Sequence, residues 1–118
     1  MNLKECYASI GADYESVFLR MGSDSVICKF LFRYFDRNEY NGLEKAICEK
    51  RWKDAFMYAH NMKGFALNMS LTRLAGASSV LCEALRNGQP EDGVSGMLAD
   101  VKSAYVITEK AVGNLERE

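Results

Sequence analysis

Histidine occurs once in this chain of 118 residues, at His60, within the stretch Ala59-His60-Asn61-Met62-Lys63-Gly64-Phe65-Ala66-Leu67-Asn68. An exposed neutral imidazole is largely unprotonated near pH 7 and is nucleophilic without a general base, so it can accept a phosphoryl group directly. Lys63, one helical turn further on, offers positive charge where phosphoryl oxygens would sit. Gly64, in mid-helix, costs about 1 kcal/mol relative to alanine. The missing side chain beside His60 would leave room for a phosphoryl group and for another protein to approach.

These residues need a helix that holds the imidazole in solvent. Apolar residues recur at intervals of three and four from Trp52 to Asn68, which predicts a helix there. Projected at about 100° per residue, Ala55, Tyr58, Ala59, Met62, Phe65, Ala66 and Met69 share one buried arc, and His60 falls about 160° from its centre. By the i+3 and i+4 rule, Lys63 and Gly64 neighbour His60 on one side and Lys53, Phe56 and Met57 on the other, with Leu67 a turn beyond. Phe56, Met57 and Leu67 would form the apolar rim of a docking patch, with Lys53 at its edge. A solvated histidine and lysine pair accounts for the same residues, with the apolar neighbours covered by the N-terminal segment, and periodicity does not separate these readings.

The rest of the chain reads as helices joined by short loops. Proline occurs once, at Pro90. A short helical segment follows Asp13, and Gly22-Ser23-Asp24 breaks it and offers an N-cap. From Ser25 to about Arg37, Val26, Ile27, Phe30, Leu31, Tyr34 and Phe35 make a wide apolar stripe. A further amphipathic segment carries Tyr40, Leu43, Ala46 and Ile47 and should turn near Lys50-Arg51. Ser70 reads as the N-cap of a helix through Leu74, Ala77, Leu81 and Leu85 that stops at Asn87-Gly88-Gln89-Pro90. A last helix begins between Pro90 and Ser95, with Glu91 and Asp92 in its first turn, and runs to about Leu115. The fold class is all-α, a single domain over 1–118: an antiparallel up-and-down four-helix bundle with an additional short N-terminal helical segment.

Composition narrows the function classes. Hydrophobic residues make up 48% and charged residues 26%, the balance of a globular protein, and the net charge is -1. That charge gives no electrostatic case for nucleic acid or an anionic membrane. Cys6, Cys28, Cys48 and Cys82 lack metal-ligand spacing and are expected as buried free thiols, so no metal site is expected. No apolar run approaches the ~18 residues of a membrane span and no signal core opens the chain, so a cytoplasmic location is expected. No glycine-rich nucleotide loop is present, and Ser23, Ser78 and Ser79 lack a second histidine as base, which argues against an autonomous kinase or hydrolase.

The stretch around His60 resembles the signature of histidine-containing phosphotransfer (HPt) domains, roughly A-H-x-L-K-G followed at family spacing by a second glycine and a helix ending in L-E-x-x-x-R. Ala59, His60, Lys63 and Gly64 match, Met62 replaces the leucine, and Asn68 stands where asparagine is frequent. Leu81-Cys82-Glu83-Ala84-Leu85-Arg86 fits the second helix with Cys82 in place of a glutamate, while Ser70 occupies the second glycine position. The likeness extends over most of the chain, including the Asp13-Tyr14-Glu15 segment, Phe30 to Phe35 and Leu43 to Ala46. It implies a histidine phosphocarrier in a multistep phosphorelay of two-component signalling. His60 would be the phosphoacceptor, Lys63 would stabilise the phosphoryl group, and Gly64 would provide clearance. Partners would be response-regulator receiver domains or a hybrid sensor kinase, with Mg²⁺ held by the receiver, no cofactor on this chain, and a monomeric state. The basic stretch of Lys45, Lys50, Arg51, Lys53 and Lys63 would complement an acidic receiver site. The alternative is a non-catalytic interaction module that binds a receiver or kinase without carrying phosphate.

Overall fold

The computed structural model describes residues 1–88, 90 and 93–116. Among these the chain is all-helical: α1 (Leu3–Ser9), α2 (Tyr14–Met21), α3 (Asp24–Asp36), α4 (Glu39–Cys48), α5 (Trp52–Asn68), α6 (Thr72–Leu85) and α7 (Val94–Gly113). None of them is long and apolar enough to cross a membrane.

Local chemistry sets most of these boundaries. Asp13 and Ser23 cap α2 and α3 by accepting from the N–H groups of Ser16 and Val26, the second within the Gly22-Ser23-Asp24 break expected to offer a cap. The sequence reading contains no helix at α1. Asn2 and Glu5 start it with a reciprocal capping box, in which Asn2 Oδ1 accepts from Glu5 N–H and Glu5 Oε1 accepts from Asn2 N–H. The residues Glu91 and Asp92, read as the first turn of the last helix, lie outside the described residues.

Helices α4 and α5 both end in Schellman turns. Lys50 N–H donates to the Ile47 carbonyl and Arg51 N–H to that of Ala46; likewise Ser70 donates to Leu67, and Leu71 to Ala66. The residue closing each turn is left-handed, Lys50 at φ 57° and Ser70 at φ 55°. Ser70 is therefore not the N-cap expected from sequence. It closes α5, while Leu71 precedes α6 without a side-chain cap.

One apolar core joins all seven helices. Helix α5 packs mainly against α4 and α6, and α6 against α7. Alanines at positions 55, 59 and 66 supply much of the buried face of α5, so neighbouring helices can come close, with Met62 filling the space between. Gly42 on α4 serves the same purpose, since a Cβ there would lie 2.6 Å from the Tyr58 ring. The α3 stripe is narrower than predicted: Ile27, Leu31, Tyr34 and Phe35 are buried, but Val26 and Phe30 face outward. Helix α3 packs on α2 and α7, and its Tyr34 ring stacks on Phe65 of α5 with centroids 3.6 Å apart, while Val26 and Phe30 lie off these contacts. No disulfide joins the cysteines; Cys6 and Cys82 are buried as expected, whereas Cys28 is half-buried and Cys48 is exposed.

Helices α1 and α2 meet the C-terminal end of α5. The Tyr7 hydroxyl donates to the Met69 carbonyl at 2.7 Å, and Asp13 N–H donates to the Ser70 carbonyl at 3.0 Å. The Arg20 guanidinium donates to the carbonyls of Leu67 and Asn68 and to Ser70 Oγ. A cation at the carbonyl end of α5 satisfies orphan acceptors and complements the helix dipole.

Candidate functional site

Helix α5 begins at Trp52, where Arg51 bonds Asp54 at 2.6 Å and Glu49 at 2.8 Å. Those two carboxylates consume the Arg51 charge, which removes Arg51 from the basic stretch expected to attract an acidic partner. Along α5 the buried set is Ala55, Ala59, Met62, Ala66 and the cap Met69, with Tyr58 and Phe65 half-buried. His60 is exposed, as the projection requires.

The imidazole lies against the Phe56 ring, with centroids 5.9 Å apart and planes inclined by 20°. Phe56 is half-buried, so it supports the imidazole from beneath rather than standing on the rim. Met57 and Leu67 do face solvent, at 50% and 54% exposure, and the N-terminal helices leave both uncovered. Lys53 is exposed at the start of the helix. Lys63 is half-buried and lines a groove between α2, α5 and α6 together with Arg20, Leu67, Ser70, Gly76 and Ser79.

Gly64 is exposed, and a Cβ added there would meet nothing within 4 Å. Internal packing gives no reason for a glycine at this position. Ser70, at the second glycine position of the HPt pattern, adopts the left-handed conformation that glycine favours. Its hydroxyl donates to Ser16 Oγ at 3.0 Å and accepts from Arg20, so the turn forms with serine in place.

Two residues of α6 did not figure in the site read from sequence. Val80 is 55% exposed on the outer face of α6. The Arg86 guanidinium sits over the Phe56 ring, 5.5 Å from its centroid, and Arg86 Nε donates to Glu83 Oε2 at 3.1 Å. Arg86 was visible only as the last letter of the L-E-x-x-x-R pattern; its approach to Phe56 is a contact between helices that no spacing within one helix reveals. Cys82 on the same helix is buried. Burial pushes its thiol up, while the charges of Lys63 and Arg86 pull it down. Among the described residues, no group of three or more His, Cys, Asp or Glu side chains could hold a metal ion. Ser78 is fully buried and so out of reach of any substrate.

Comparison with protein-family models, curated proteins and solved structures returns no match to this chain.

Proposed function

We propose that this chain is a cytoplasmic, monomeric histidine phosphocarrier of the HPt type, which takes a phosphoryl group from the aspartyl phosphate of one receiver domain and passes it to the aspartate of another. The observation that carries this reading is the pairing of His60 and Gly64: the only imidazole stands exposed opposite the buried face of α5, and the glycine one turn on is free of any packing demand. In this reading the long helices form an antiparallel up-and-down four-helix bundle, and the N-terminal helices cover one end of it.

The chemistry needs little from the chain beyond position. The lone pair on the solvent-facing ring nitrogen, Nε2, forms a bond to phosphorus as the P–O bond to the receiver aspartate breaks. The carboxylate leaves with that bond's electrons, and the proton on Nδ1 stays in place. Lys63 offsets charge on the phosphoryl oxygens, and Gly64 leaves them space. The receiver supplies Mg²⁺ and the acidic pocket, so no cofactor is assigned to this chain. Met57 and Leu67 form the apolar part of the receiver contact, with Lys53 at its edge.

Incubation with a phosphorylated receiver tests the proposal. The expected result is acid-labile, base-stable label on the chain that His60→Gln abolishes. Tight receiver binding with no label, unaffected by His60→Gln, would instead identify an interaction module that carries no phosphate.

A further inference from the structure

Phe56 touches two side chains that differ in charge and helix. The His60 imidazole lies on its ring at 5.9 Å, and the Arg86 guanidinium of α6 lies over the same ring at 5.5 Å. One aromatic side chain is thus shared by a permanent cation and the only imidazole. Arg86 is meanwhile bonded to Glu83, one turn back on its own helix, through side chains that are 49% and 70% exposed. An exposed ion pair at this spacing is weak, because solvent screens it and two long side chains must be held still.

A phosphoryl group on His60 would change that competition. It brings about −1.5 to −2 charges and three strong acceptor oxygens, against the single charge of a carboxylate, and guanidinium matches phosphoryl oxygens with two parallel hydrogen bonds. The Phe56 face keeps the cation close while it moves, since attraction to the ring does not depend on Glu83. The charges of Lys63 and Arg86 both reach the Cys82 thiol beneath, so the two cations act on one small region of the α5–α6 surface.

Resting on the reading of His60 as a phosphoryl carrier, we infer that loading His60 makes Arg86 exchange partners: the Glu83 bridge opens and the guanidinium swings across Phe56 to the phosphoryl oxygens. The surface then has two states. Unloaded, Glu83 and Arg86 neutralise each other; loaded, the Glu83 carboxylate is released and adds negative charge beside the phosphohistidine. A partner with an acidic pocket meets a different face in each state.

The test loads the full chain with phosphoramidate, which phosphorylates imidazole as its own P–N bond breaks and ammonia leaves with the bonding electrons. No receiver is needed. The Arg86 Nε–H resonance is followed by ¹⁵N NMR in wild type, Glu83→Gln and His60→Gln. The expected result is that the unloaded wild type and Glu83→Gln differ at this resonance and converge on one position when loaded, while His60→Gln does not respond. An unmoved signal in loaded wild type, a persistent wild-type to Glu83→Gln difference after loading, or a response in His60→Gln would each overturn the exchange. A motionless Arg86 signal leaves receiver transfer standing, and failure of receiver transfer leaves the Arg86 result standing, so the two readings fail separately.

Discussion

Gly64→Ala should make the protein more stable and less active at once. A Cβ at this position meets nothing within 4 Å, so the substitution carries no overpacking cost. What remains is the helix-propensity difference, about 0.8–1.0 kcal/mol in favour of alanine, part of which comes from the smaller conformational freedom of the unfolded chain. For a domain of this size that corresponds to about 4 °C in Tm. The added methyl also occupies space one turn from His60 on the exposed side of α5, where the phosphoryl group and its donor must fit. Gly64→Gln extends the obstruction and should slow transfer by about a hundredfold, the range associated with a misplacement of about 1 Å. Thermal unfolding followed by circular dichroism gives the first quantity, and initial rates of label transfer from a phosphorylated receiver give the second. A Gly64→Ala protein less stable than wild type would refute the reading of the local space. If both variants transfer at the wild-type rate, the clearance argument fails.

The left-handed residues give a contrasting pair. Lys50→Gly should raise stability by about 0.5–1 kcal/mol by relieving its positive φ, whereas Ser70→Gly should gain less, because it also loses hydrogen bonds to Arg20 and Ser16, each worth about 1 kcal/mol. Urea midpoints at constant m-value measure both, and an equal gain at the two sites would contradict the role given to the Ser70 hydroxyl. Glu39 gives a pH signature: burial raises its carboxyl above the ordinary range, against the opposing pull of Arg37 and of the Tyr34 hydroxyl. The folded state therefore holds this proton more tightly than the unfolded state. The associated stability is fully present below the ordinary carboxylate range and is lost as pH rises through the raised value. Glu39→Gln should flatten that decline in denaturation midpoints measured across mildly acidic pH; an unchanged slope would contradict it.

Much of what positions the site was legible because it is local. The apolar period between Trp52 and Asn68 gave the limits of α5 and the outward direction of His60, both set by the repeat of a single helix. The cap at Ser23 was likewise readable from residue type next to a periodic run. Ser70 was misread because serine is a common N-cap and only rarely left-handed; the Schellman turn that ends α5 puts it at positive φ, and its carbonyl and hydroxyl then meet Asp13, Arg20 and Ser16. Val26 and Phe30 lie outside the core because burial depends on which helices pack beside α3. Arg86 joins the His60 region through Phe56, a meeting of α5 and α6 that depends on how the two helices cross.

Phosphotransfer to His60 tests the central claim most directly. Mixing the chain with phosphorylated receivers of the same genome, and following label by acid and base stability, should yield an acid-labile, base-stable phosphoprotein in wild type and none in His60→Gln. Absence of label with every such receiver, or label that persists in His60→Gln, would contradict the account.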